Sequence, residues 1–419
     1  MIEGGHEAHR EVERAARSSY GRLLAYLSAR TCDLATAEDA LGDALLAALR
    51  TWPRDGVPAR PEAWLLTAAR NVLADARRHR GVMAAAESAL RLLHRRAQLA
   101  PEVIEFPDER LKLLFVCAHP ALDPALRAPL MLQTVLGLDA AAIAPAFLAT
   151  PAAMSQRLVR AKARIRDQNL RFDVPAPRDL PERLPAVLEA VYAAFGLGWE
   201  ALPGTGGAPS SAPPLAEEAL WIARDLQRLL PGEPEVLGLL AVLLHCRARR
   251  TARRAPSGAY LPLTQQDTRL WDRTLIAEAE RLLLRAAPCH RPGRFQLEAA
   301  IQSVHADRAR TGRTEWAAIA AFYEQLVRLA PSLGACTAHA AATAEAGGPA
   351  AGLARLDTID PHAAASYQPF WAVRGHLLAQ LGYPRQARAA YGLAIALSHD
   401  PAVRDHLRSK SRALARRTK

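Results

Sequence analysis

The sequence predicts an all-α protein. Apolar residues make up 50% of it but aromatics only 5%. Alanine, leucine and arginine dominate and few stretches are β-branched, which is the composition of helices. Apolar positions recur at three- and four-residue spacing through most segments. The 419 residues suffice for roughly two to four domains and a sizeable core.

A net charge of +12 and a pI near 10.0 suit a polyanionic partner, nucleic acid or an acidic protein surface. An arginine-rich composition also arises from genome bias. The five cysteines, Cys32, Cys117, Cys246, Cys289 and Cys336, are far apart and form no CxxC pair. Neither a disulfide framework nor a zinc site is indicated, and free thiols fit a reducing cytoplasm. The first twenty residues are polar and charged, unlike a signal peptide. No apolar run approaches the ~20 residues that span a bilayer. The expectation is a soluble, cytoplasmic protein with no membrane partner.

Residues 7–30 form a first helix with Val12, Ala16, Tyr20, Leu23, Leu24 and Leu27 on its apolar side. A second follows Thr36, with Leu41, Ala44, Leu45, Ala48, Leu49 and Trp52 as its buried stripe. Asp39 and Asp43 share a face near its start, where acids complement the helix dipole or present an acidic patch. Thr51–Pro61 is a loop rich in proline and glycine. In the third helix Trp64, Leu65, Ala68, Val72 and Ala76 face one way and Arg70, Arg77 and Arg78 the other. Periodicity weakens over 81–107, which reads as a linker. Cys117 and His119 stand alone beside Pro120, so they make no metal site.

Residues 138–166 read as two short helices joined by a tight turn. Asp139 caps the first, and Ile143 and Phe147 share one of its faces. Thr150 followed by Pro151 is a fresh helix start, a hydroxyl cap and then a residue that needs no N–H. In the second helix Met154, Leu158, Ala161 and Ile165 form the apolar side. Arg157, Arg160 and Arg164 form a separate stripe with Gln156 at its edge, and Ala153 lies in the first turn. One face to dock and one basic, amide-bearing face to present is what a helix in a major groove requires. A surface helix with solvated arginines has the same pattern.

Residues 171–185 are a proline-rich link, 183–195 a helix and 196–214 a flexible loop. Helices follow at 215–230, 234–250, 267–286, 294–310, 314–329, 333–346, 349–356, 367–381, 384–397 and 401–416. Gly382, Ala387, Tyr391 and Ala394 stand at tetratricopeptide spacing, although Pro401 falls two residues late. The basic runs at 247–254 (RARRTARR) and at the C-terminus read as solvated helix ends, or as contacts to DNA or polymerase. No Gly-rich phosphate loop, HExxH or nucleophile elbow is present, so no enzyme and no cofactor are expected.

The order AEDALGDALLAALRTWP, a short loop, then PEAWLLTAARNVLADARRHR resembles region 2 of the sigma-70 family of transcription initiation factors. More narrowly it is similar to the extracytoplasmic-function sigma factors, which keep only regions 2 and 4. CAHPALDP, SQRLVRAKARIR and EPEVLGLLAVLLHCRARR resemble the subgroup with a long C-terminal helical-repeat extension. This implies region 2 over 1–80, a linker over 81–107 and region 4, a helix-turn-helix, over 108–172. It implies a linker with a connecting helix over 173–214 and a tetratricopeptide-like domain over 215–419.

The resemblance also implies roles. Asp39 and Asp43 would dock on core RNA polymerase. Trp64, Arg70, Asn71, Arg77 and Arg78, with the loop before them, would open and hold the minus-ten element of promoter DNA. Ala153, Gln156, Arg157, Arg160 and Arg164 would read the minus-thirty-five element. Trp52 and Trp64 serve equally well as core. The implied function is an alternative sigma factor regulated by its C-terminal helical domain, which could itself take a protein partner. The chain departs from the family pattern at Gly42, at Ala142 and at Pro145, which would cost on the order of 3 kcal/mol inside a regular helix. The alternative is a helical protein–protein interaction scaffold with a decayed sigma-like DNA-binding region.

Overall fold

A computed structural model describes residues 11–12, 14–15, 19–21, 23–28, 31, 34–81, 108–167, 175–200, 215–289 and 292–417. The fold is all-α, and the described residues contain no strand, only an isolated bridge between Arg254 and Tyr260. The chain divides into two compact units, 1–229 and 230–419.

In the first unit the described residues between 11 and 31 are helical and bury Val12, Leu23, Leu24 and Leu27, while Ala16 lies outside the described residues. Helix α1 (Leu34–Asp55) buries Ala37, Ala40, Leu41, Ala44, Ala48 and Trp52. Leu45 and Leu49, expected in the stripe, are half-buried at its edge, because the buried positions advance in steps of three and four. Helix α2 (Pro61–Gly81) packs on α1 and buries Leu65, Ala69 and Leu73. The predicted face is therefore rotated by one residue: Trp64, Ala68 and Val72 flank the contact, half-buried. The side chain of Ala76 lies outside the described part.

Helices α3 (Glu109–Cys117) and α4 (Pro124–Thr134) are capped by Asp108 and Asp123, whose carboxylates accept from Arg110 N and Ala125 N. Such caps satisfy backbone donors left over at a helix start. Asp139 caps α5 (Ala140–Ile143) by accepting from Ala142 N at 2.7 Å, as its position predicts. The α-helix then stops short of Pro145, and Ala144–Phe147 continue as a 3-10 turn. The proline is accommodated near the start of that turn, so the cost of a regular helix is avoided by shortening it. The chain turns back through Leu148, at φ +49° a left-handed residue without glycine's freedom, at a cost on the order of 1 kcal/mol. Helix α6 (Pro151–Asp167) begins at Thr150, whose Oγ1 accepts from Ala153 N at 3.2 Å. It docks through Met154, Leu158, Ala161 and Ile165, all buried, as their spacing predicts.

Helix α7 (Leu180–Glu200) packs across α3 and α4, and α8 (Leu215–Leu229) packs on α7. Gly198 permits that approach, since a Cβ there would stand 2.2 Å from Ala216 N. Arg183 Nη1 donates to Phe115 O at 3.0 Å, satisfying a carbonyl at the end of α3. Buried Arg110 donates to Glu218 on α8 and to Asp108, and lies 4.5 Å from the centre of the Trp221 ring. Hence α8, expected to open the C-terminal domain, is bound into the first unit, and the division falls at 229/230 rather than at 215.

The second unit starts with α9 (Pro234–Ala248), buried almost all round, against which α10 (Arg273–Ala286) and α11 (Arg294–Ala306) pack. The sequence places the start of α10 at 267, but 267–272 form a 3-10 turn and an Asp272 cap that accepts from Thr274 N and Leu275 N. After the short α12 (Arg308–Thr311) come α13 (Trp316–Leu329), α14 (Leu333–Gly347), α15 (Pro349–Leu356), α16 (Gln368–Gln380), α17 (Pro384–Leu397) and α18 (Pro401–Arg417). Each packs on its successor. Gly382, at φ +79°, turns the chain between α16 and α17, and Ala387, Tyr391 and Ala394 are the buried face of α17.

Candidate nucleic-acid and polymerase interface

On α1, Asp39 and Asp43 are both exposed and one turn apart. Glu38 instead turns inward and accepts from Lys162 Nζ at 2.9 Å, so α1 and α6 are tied within the first unit. Burial, with Glu38 and Asp39 nearby, raises the Tyr20 hydroxyl above its ordinary range.

The loop at 56–60 is largely exposed and leads into α2, where Arg70 and Asn71 face solvent. Trp64 stands edge-on to Trp52, with ring centres 5.6 Å apart and planes at 72°. Trp52 is core at 2% exposure, whereas Trp64 is half-buried and keeps one edge at the surface. Arg77 and Arg78 belong to the last turns of α2, but their side chains lie outside the described residues.

Helix α6 presents a face different in detail from the predicted one. Gln156, Val159 and Arg160 are exposed opposite the buried Met154, Leu158, Ala161 and Ile165, with exposed Ser155 and Arg164 flanking them. Gln156 is thus central on the outward face, not at its edge. Ala153 and Arg157 are half-buried on the side that rolls toward the core. Arg160 Nε donates to Gln156 O at 3.4 Å, and among the described residues neither Arg157 nor Arg164 makes an ion pair. Val159 was missed because the arginines were used to define the stripe. Counting about 100° per residue from the apolar side would have found it.

The 247–254 run is not a solvated helix end. Arg249 is 9% exposed and donates to Gln302 Oε1 at 2.6 Å. Arg254 pairs with Asp400 at the start of α18 and lies 5.9 Å from the Tyr260 ring centre. Arg247, Arg250 and Arg253 are also engaged within the protein. A comparable staple is Arg308, which donates to Thr264 O and Gln266 O at 2.8 Å and covers Trp271. Burial, reinforced by Arg249, pushes both His245 and His305 down to about 3, so both rings are neutral at pH 7. Glu280 Oε1 lies 3.4 Å from His245 Nε2, an opposing acid that burial outweighs. Burial pushes the Cys117 thiol up to about 12, and the His119 ring accepts from Ala121 N within a turn. Among the described residues no three His, Cys, Asp or Glu side chains cluster as a metal site, and no helix is long and apolar enough to cross a membrane.

Residues 16–82, which include α1, the exposed loop and α2, match sigma-70 region 2. That match supports a sigma-factor-like role in transcription initiation, and the sigma-70 family implies binding to RNA polymerase and promoter DNA. It is 38% identical over 406 residues to an uncharacterized protein of Rhizobium meliloti (strain 1021), covering 96% of this chain and 94% of that one. Residues 183–287, from α7 to α10, match a family of unknown function, DUF6596. No solved structure matches.

Proposed function

We propose that the protein is an alternative sigma factor of the extracytoplasmic-function type. Asp39 and Asp43 on α1 dock on core polymerase. The loop at 56–60 and α2, through Trp64, Arg70, Asn71, Arg77 and Arg78, hold the melted minus-ten strand. A charged helix beside an exposed loop with a surface tryptophan edge can track a backbone and stack an unstacked base. Residues 140–167 act as a helix-turn-helix whose α6 enters the major groove at the minus-thirty-five element. The chemistry remains in the polymerase. The observation that carries this is the outward amide and guanidinium face of α6, folded into the same compact unit as region 2.

One physical consequence follows. The two promoter elements lie about 25 base pairs apart, or on the order of 85 Å at ~3.4 Å per pair. The Glu38–Lys162 contact must therefore open on the promoter. The 26 residues 82–107 are long enough, since an extended chain reaches ~3.3–3.6 Å per residue. The helical array of the second unit, read as tetratricopeptide-like, regulates the factor in cis or through a protein partner.

The scaffold alternative is favoured by one observation, the confinement of α5 to a single turn before Pro145. Run-off transcription with core polymerase on genomic fragments decides between them. New start sites sharing two spaced elements are expected, with output altered when residues 230–419 are removed. Core binding without any new start would leave a scaffold with a sigma-like docking domain.

A further inference from the structure

We infer that Val159 is a base-reading residue and that it selects a thymine in the upstream promoter element. The inference rests on the proposed entry of α6 into the major groove. Val159 is 65% exposed and lies on the outward face beside Gln156, on the side away from Arg160. A lone exposed valine elsewhere on a protein surface would call for no explanation. Here it stands on the one face of α6 that carries base-reading chemistry, next to the central Gln156, while every other apolar side chain larger than alanine beyond the first helical residue is buried.

The major groove offers one apolar feature, the C5 methyl of thymine. Gln156 can pair through its amide with adenine N6 and N7, and Arg160 with guanine O6 and N7. A valine beside them has no polar edge to engage, so only a methyl group complements it. Its β-branched side chain is held near one rotamer in a helix, so little freedom is lost on contact. Gln156 and Val159 are three residues apart, about 4.5 Å along the axis at 1.5 Å per residue. That is on the order of one base-pair step of ~3.4 Å. The thymine read by Val159 therefore lies next to the pair read by Gln156.

The test removes only the methyl group. With the holoenzyme and a promoter mapped by run-off transcription, each thymine of the upstream element is replaced in turn by deoxyuridine. At one position the wild-type holoenzyme should lose about fourfold in affinity, the worth of one buried methyl group. Val159→Ala should bind thymine and deoxyuridine equally there, and Val159→Thr, which keeps the shape but exchanges a methyl for a hydroxyl, should lie between. Alanine is the better helix former, so a misfolded variant is not a concern. Deoxyuridine tolerated at every position, or a full penalty retained by Val159→Ala, would overturn the inference while leaving the sigma-factor proposal standing. Absence of any protected upstream element would remove the helix-turn-helix proposal and the inference together.

Discussion

Two arginine-rich stretches of this chain look alike in sequence and behave oppositely in the fold. In 247–254 the guanidinium groups are used up inside the protein, on Gln302 by Arg249 and on Asp400 and Tyr260 by Arg254. On α6 the arginines stand on or beside an outward face, and Arg157 and Arg164 have no ion-pair partner among the described residues. The first stretch connects a loop to a helix nearly 150 positions away in sequence. In the second, Lys162 pairs with Glu38, and Arg157 and Arg164 are left to face outward partners. Charge density in a sequence therefore says little about partners until the acids that could absorb it have been placed. A buried or paired arginine is spent on stability, and only a presented one can displace the counterions condensed on DNA.

The largest effect that sharpens this contrast is a pH dependence. Burial, reinforced by Arg249, holds His245 and His305 at about 3, well below the ordinary 6.5. Both rings are neutral when folded and take up protons on unfolding. Their contribution to stability is therefore complete above pH 6.5 and is lost as the pH falls towards 3. The slope is about 1.4 kcal/mol per pH unit for each ring within that window. Denaturant unfolding followed in the second unit between pH 7 and 4 should show it, and should flatten when both histidines are replaced by glutamine.

A smaller effect is expected at Arg254. Its pair with Asp400 is largely shielded from water, with side chains 19% and 21% exposed. Arg254→Ala should cost about 2 kcal/mol, between the worth of an exposed pair and of a buried one. Thermal unfolding would check it, and an unchanged midpoint would mean that this run is a solvated surface after all. The smallest effect lies on α1 beside the presented acids. An added Cβ at Gly42 meets nothing within 4 Å. Gly42→Ala should raise stability by roughly 1 kcal/mol, the helix-propensity difference, and leave polymerase binding unchanged.

Much of this architecture was legible in the sequence. Helix caps at Asp139 and Thr150 and the turn at Gly382 declare themselves through residue type, because few side chains can meet those local demands. The docking side of α6 was equally plain, since four apolar residues at helical spacing leave one choice. The fate of each arginine was not, because it depends on acids and carbonyls brought close only by the tertiary fold. Glu218 reaching Arg110 and Asp400 reaching Arg254 have no local signature. For the same reason the sequence placed α8 with the C-terminal repeat, when Arg110 and Gly198 bind it to the first unit. Val159 was hidden for a different reason: an apolar residue on an exposed face looks like noise until the buried side is fixed.

The central claim is that α6 presents a surface for reading promoter DNA. Its most direct test is equilibrium binding of the holoenzyme to a mapped promoter between 50 and 200 mM salt, for wild type and Arg160→Ala, about 1–3 kcal/mol being the expected loss. The account predicts steep salt dependence, that loss confined to one base pair of the upstream element, and unchanged stability of the protein to within ~0.5 kcal/mol. Equal affinity of the two proteins for promoter and mutated promoter alike, across the whole salt range, would contradict it.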